Sequence, residues 1–98
     1  KRDKLRGTNG PDAIFGFGAR DIIYGRGGDD LLCGGNGRDW IAGGNGADVI
    51  EGEAGNDTMY GGRGDDILNG GAGRWDWAFG GRGFDTCTGA ELKWGCEA

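Results

Sequence analysis

A nine-residue period governs this chain. From Gly7 it reads GTNGPDAIF, GFGARDIIY, GRGGDDLLC, GGNGRDWIA, GGNGADVIE, GEAGNDTMY and GGRGDDILN, then the ten-residue GGAGRWDWAF, then GGRGFDTCT, ending at Thr88. A fixed short period marks a solenoid, whose units cannot bury an apolar face alone and do so by stacking. The sixth position holds Asp12, Asp21, Asp30, Asp39, Asp48, Asp57, Asp66 and Asp85, with Asp76 displaced by the inserted residue of the eighth unit. The eighth position holds Ile14, Ile23, Leu32, Ile41, Ile50, Met59, Leu68, Ala78 and Cys87, all apolar. At the chain's 36% hydrophobic frequency, chance gives that column about once in ten thousand trials, so the period is not a by-product of glycine richness.

Each unit has a direct physical reading. Its first six residues, Gly-rich and ending in Asp, suit a tight turn that visits positive φ, where Gly meets no steric cost. Its last three suit a very short strand with the middle side chain inward and its neighbours outward. One such strand buries nothing by itself, so successive strands must face each other across a core. Two units then make one coil of about eighteen residues, with units i and i+2 adjacent on the same side. The expected fold class is all-β: a parallel β-roll, a β-helix or solenoid of about nine nonapeptide units, two per coil. At about 4.8 Å per coil, roughly five coils give a rod of about 20–25 Å. The boundaries read as a basic N-terminal cap at 1–6, the roll at 7–88, and a C-terminal cap at 89–98.

Composition sets the energetic problem and removes some functions. A chain of 98 residues buries only about 60–65% of its unfolded surface. Its 26 Gly raise the entropy lost on folding, so something beyond packing must hold the fold. His, Ser and Gln are absent, which removes Ser/His nucleophilic chemistry and a His general base. Glu51, Glu53, Glu91 and Glu97 suggest no cleft, and no enzyme activity is expected. No apolar run approaches the ~20 residues of a membrane span, and KRDKLR lacks the apolar segment of a signal peptide, which suggests a mature form or an excised domain. Nucleic acid is not an expected partner.

Stacking every second unit aligns Asp12, Asp30, Asp48, Asp66 and Asp85 in one column and Asp21, Asp39, Asp57 and Asp76 in another. Like charges about 5 Å apart repel, and no basic residue recurs in register to neutralise them. Carboxylates together with free carbonyls of a Gly-rich turn point to Ca²⁺ rather than Zn²⁺, which would want His or Cys. Here GGNGRDWIA, GGNGADVIE and GGRGDDILN resemble the repeats-in-toxin (RTX, haemolysin-type) nonapeptide GGxGxDxUx, and the resemblance covers about five sixths of the chain. It implies a right-handed parallel β-roll with Ca²⁺ between consecutive turns. The ligands would be the sixth-position Asp and turn carbonyls such as those of Gly34, Asn36, Gly43, Asn45, Gly61 and Arg63. It also implies a secreted or cell-surface protein that folds on meeting calcium. Phe17, Ala19, Arg26 and Glu53 stand where the pattern has Gly, and Trp75 lengthens one turn, so the expectation is about five to seven ions. Six would carry the formal charge from −5 to about +7, leaving turn residues Arg20, Arg38 and Arg74 able to face an acidic polysaccharide.

The outward positions of the even-numbered units include Ile22, Tyr24, Trp40, Tyr60, Trp77 and Phe79, an aromatic face that exceeds what soluble monomers usually expose. A second copy of the chain, or a partner domain or carbohydrate stacking on Trp40 and Trp77, would cover it, or it is uncovered and simply rich in strand-forming residues. Among the cysteines, Cys33 lies about three coils from Cys87, roughly 14 Å and too far for a bridge. Cys87 and Cys96 are the pair expected to close the tail over the end of the roll, with Leu92 and Trp94 plugging the last rung; the alternative is three free thiols. Cys33 is expected to point outward. Two functions follow: a non-enzymatic calcium-binding module for scaffolding, assembly or adhesion, and a ligand-binding module on a calcium-built frame.

Overall fold

A computed structural model of the chain describes residues 3–18, 20–71, 76–89 and 92–96. Ala19, Arg74, Trp75, Glu91 and Glu97 lie outside them, as does the side chain of Leu92. Among the described residues, strands form where each unit ends: β2 Ala13–Phe15, β3 Asp21–Tyr24, β4 Leu31–Cys33, β5 Trp40–Ala42, β6 Val49–Glu51, β7 Thr58–Tyr60, β8 Ile67–Asn69, β9 Trp77–Phe79 and β10 Thr86–Thr88. Two flanking strands, β1 Asp3–Arg6 and β11 Leu92–Trp94, join them. All pairing is parallel. One sheet runs β1-β3-β5-β7-β9-β11 and the other β10-β8-β6-β4-β2. The result is an all-β parallel roll with successive strands alternating between sheets.

The register is that of an eighteen-residue coil. Ile23 pairs with Ile41, and Leu32 with Ile50. Across the inserted residue the offset becomes nineteen, as in Met59 with Ala78 and Leu68 with Cys87. The insertion is therefore absorbed in the turn, and the strands keep their faces, since a one-residue slip would turn every side chain to the wrong side. The extents of 32 × 29 × 12 Å describe a slab whose thin dimension is that of two sheets face to face.

Between the sheets runs a single file of fully buried side chains. Ile23, Ile41, Met59 and Ala78 come from one sheet and Leu32, Ile50, Leu68 and Cys87 from the other. Leu5 and Ile14 pack at one end and Cys96 at the other. Cys96 is bonded to Cys87 with a Cα–Cα separation of 5.7 Å, so the disulfide closes the inner row. Trp94 does not plug that rung. It turns to the outer face, where its ring stacks on Phe79 at 4.9 Å, because its register partner Phe79 occupies an outward position. Cys33 is free and takes the outward strand position expected of it, in register with Phe15 and Glu51, yet it is only 6% exposed because its neighbours on that face cover it.

The outward aromatic residues pack on one another along the six-stranded sheet. Ring centroids lie 5.4 Å apart for Tyr24 and Trp40, 5.2 Å for Trp40 and Tyr60, and 4.9 Å for Tyr60 and Phe79. Ala42, two residues further along the same strand, is the small member of the row Tyr24, Ala42, Tyr60, Phe79, and Trp40 makes the ladder continuous by reaching its diagonal neighbours Tyr24 and Tyr60. Tyr24, Trp40, Tyr60 and Phe79 are half-buried by this packing, and Ile22 beside them likewise, while Trp77 remains exposed.

Candidate metal centre

Each sixth-position Asp stands where a turn becomes a strand, so neighbouring coils fix both its backbone and its side chain. Its main-chain N–H donates to Oδ1 of the Asp one coil further on. The bonds from Asp12 to Asp30 and Asp48 to Asp66 are 2.8 Å, and those from Asp21 to Asp39, Asp30 to Asp48 and Asp39 to Asp57 are 2.9 Å. Beyond the insertion, Asp57 donates to Asp76 at 2.9 Å and Asp66 to Asp85 at 2.8 Å. The Asp carbonyls accept from the first strand N–H of the next coil, as from Leu31 to Asp12 at 2.8 Å. The carboxylates thus form the two expected columns, but turned inward: all except the half-buried Asp12 are at most 3% exposed.

In the middle of the columns, from Asp30 to Asp66, one carboxylate oxygen is thereby bonded and the other is not. Oδ2 of Asp30, Asp39, Asp48, Asp57 and Asp66 is buried without a hydrogen-bond partner. At the head of the roll the Thr8 N–H reaches Asp12 Oδ2 at 2.6 Å. Each Oδ2 faces the first Gly of its own unit. A methyl group on Gly25 would lie 2.6 Å from Asp30 Oδ2 and 2.8 Å from the Gly43 carbonyl oxygen. On Gly43 it would meet Asp48 Oδ2 at 2.6 Å and the Gly61 oxygen at 2.8 Å, and on Gly16, Asp21 Oδ2 at 2.6 Å and the Gly34 oxygen at 2.7 Å. The first Gly of the unit is therefore required by space, while the left-handed backbone falls at later turn positions such as Gly35, Gly44 and Gly62.

Three of the six expected carbonyls, those of Gly34, Gly43 and Gly61, thus crowd the same spots as carboxylate oxygens. Asn45 and Arg63 sit on the outer turn, where the N–H of Asn45 donates to the Arg26 carbonyl at 2.9 Å and that of Arg63 to Gly44 at 3.1 Å. Asn36 is exposed on its own turn. Two further carboxylates escape a reading of the sixth position alone. Asp29 accepts the Ala47 N–H at 2.8 Å and Asp65 that of Phe84 at 2.9 Å, one coil on in each case. The Asp–Asp doublets in GRGGDD and GGRGDD are the sequence signal that could have found them.

The electrostatics follow from burial. Desolvation, reinforced by the neighbouring Asp of the column, pushes Asp39 up to about 6, Asp48 to about 7, and Asp57 and Asp66 to about 8, and raises Asp30 as well. Left to itself the column would hold protons, since an ionised carboxylate without a counter-charge costs several kcal/mol to bury. The donors available are all hard oxygens, the set that Ca²⁺ takes and Zn²⁺ does not prefer. The residues therefore fit Ca²⁺: the Asp columns and the adjoining first-Gly carbonyls would hold it, and its charge would let the carboxylates ionise while buried.

Comparison with known proteins agrees with this chemistry. The family model of the RTX calcium-binding nonapeptide repeat matches four copies over residues 2–32 and 34–68. No curated protein and no solved structure matches the chain. With about two thirds of its length under that match and two buried Asp columns running through it, the chain belongs to the RTX calcium-binding nonapeptide repeat family.

Proposed function

We propose that this chain is an extracellular Ca²⁺-binding module whose activity is calcium-dependent folding, non-enzymatic, serving as a scaffold, assembly or adhesion element. One observation carries the reading: a row of buried Asp Oδ2 atoms without donors, set against carbonyl oxygens of the adjacent coil. Such a site has no counterpart in the unfolded chain, so the free energy of binding becomes free energy of folding. The Cys87–Cys96 disulfide suits an oxidising, extracellular compartment. Among the described residues, no helix is long and apolar enough to cross a membrane. Equilibrium dialysis with metal analysis tests the proposal. About five to seven Ca²⁺ per chain are expected at millimolar calcium, and Asp48→Asn should lower that number; less than one ion per chain would overturn the reading.

A second reading, recognition of an acidic polysaccharide, is favoured by one cavity. It measures about 480 Å³ and is lined by Lys4, Arg20, Ile22, Arg38, Trp40 and Thr58, which place three cations around an aromatic ring, together with Asp21 and Asp39 of the column that would be engaged by calcium. That combination offers ion pairing to a sugar carboxylate or sulfate and a stacking surface for a ring. Binding of an acidic glycan lost in both Arg38→Ala and Trp40→Ala would support it. Binding unchanged in both variants would remove the cavity from consideration and leave homodimerisation through the aromatic face to be tested by sedimentation.

A further inference from the structure

A second constellation of metal-binding side chains lies away from the Asp columns. On the five-stranded sheet, Phe15, Cys33 and Glu51 are register neighbours in successive coils, each the last residue of its strand. Two residues further along, at the second position of the following turn, stand Phe17, Gly35 and Glu53. Phe17 and Glu53 take the same left-handed conformation as Gly35, with φ of 71° and 69° against 82°. Their side chains therefore leave the turn at equivalent points, while Gly35 between them leaves a gap.

That gap is a cavity of about 370 Å³ over Cys33, walled by Phe15 and Phe17 on one side and by Glu53 on the other, with Asn36 at its rim. The Cys33 thiol lines it, 6% exposed and free, with no hydrogen-bond partner seen among the described residues. Ligand atoms of Cys33, Glu51 and Glu53 all lie within 4.8 Å of one another. Among the described residues that line the cavity none is basic; Glu53 is part of its wall, and Glu51 stands beside it within ligand reach of Cys33 and Glu53.

We infer that Cys33, Glu51 and Glu53 form a binding site for a thiophilic divalent cation of the Zn²⁺ class, separate from the calcium columns. The donor set decides the class. Sulfur bonds weakly to Ca²⁺ but strongly to Zn²⁺, which commonly takes three protein ligands and leaves a fourth position open. Donors about 2.0–2.3 Å from a shared ion stand roughly 3.5 Å apart. Closing from within 4.8 Å needs only rotation of the two flexible Glu side chains. Binding replaces the thiol proton by the metal and releases that proton to solvent; nothing is oxidised or reduced. A fourth ligand would enter from the adjoining cavity, which Phe15 and Phe17 line. The burial of Cys33 argues against the simpler use of an odd cysteine, a disulfide to a second chain.

The site depends on the fold but not on how many calcium ions the columns hold. The test uses the full chain with Cys87–Cys96 intact and calcium saturating, so that Zn²⁺ is not drawn to the Asp columns. Calorimetric titration should find one Zn²⁺ per chain, weakened at least about tenfold by Cys33→Ser or Glu53→Gln. Co²⁺ as a spectroscopic probe should give a thiolate-to-metal absorption band that Cys33→Ser abolishes. Absence of Zn²⁺ uptake, or uptake and spectra unchanged in Cys33→Ser, would overturn the site. If that variant fails to fold, the unaltered chain still decides: Zn²⁺ should slow alkylation of Cys33 by iodoacetamide at least tenfold, and equal rates with and without Zn²⁺ would overturn it.

Discussion

At the scale of single residues, the unit is governed by what its glycines make room for. The first Gly leaves space for the Asp oxygen of its own unit and the carbonyl of the next coil, whereas the second supplies a left-handed backbone. Gly43→Ala should therefore destabilise the calcium-loaded chain by about 2–4 kcal/mol, because its methyl would sit 2.6 Å from Asp48 Oδ2. Arg26→Gly should do the opposite. Arg26 holds φ of 72°, and relieving that conformation stabilises by about 1 kcal/mol. Denaturant midpoints in saturating calcium check both signs. The positions of Asp and Gly were legible from the period alone. The inward turn of the carboxylates was not, because it depends on an N–H one coil away, such as that of Asp30 bonding Asp48 Oδ1. The grouping of Cys33 with Glu51 and Glu53 was hidden for a related reason: the residues lie 18 and 20 apart in sequence, and the non-repeating Glu53 reads as a departure from pattern.

At the scale of elements, three-residue strands gain little from their own hydrogen bonds, and each is held by its coil neighbours. Their locations followed from the eighth-position column. Strand β1 did not, though Asp3 and Leu5 repeat the spacing of Asp21 and Ile23 eighteen residues on, with which they pair. That strand lacks the Gly-rich turn that announces the other units, so the spacing alone had to reveal it. The aromatic ladder on the outer face supplies packing that the single-file core does not. Trp40→Ala removes ring contacts to both Tyr24 and Tyr60 and should cost about 2–4 kcal/mol. Cys96→Ala frees a loop closed over a separation of nine residues and should cost about 2–3 kcal/mol. Thermal unfolding with calcium present measures both, and a change under 0.5 kcal/mol for Trp40→Ala, roughly that of a surface substitution, would mean the ladder does not support the roll.

At the scale of the whole molecule, eight core side chains and one disulfide must order 98 residues, 26 of them Gly, while burying two columns of acid. The carboxylates of Asp39, Asp48, Asp57 and Asp66 are raised from the ordinary Asp range to about 6, 7, 8 and 8 in the metal-free fold. The folded state then binds more protons than the unfolded one, so stability falls as pH rises from about 4 through 8. Metal-free chain should retain more β structure near pH 5 than at pH 8, and calcium affinity should rise over the same interval as the metal displaces those protons. Circular dichroism of the calcium-free chain across that range would contradict this if β content increased with pH. The measurement that tests the central claim most directly is far-UV circular dichroism at pH 8 during a titration from excess chelator to 10 mM Ca²⁺, with Mg²⁺ as control. A cooperative coil-to-β transition with Ca²⁺ and none with Mg²⁺ is predicted; a β spectrum already complete in chelator would contradict it, because the core and the Cys87–Cys96 bridge would then suffice to fold the chain.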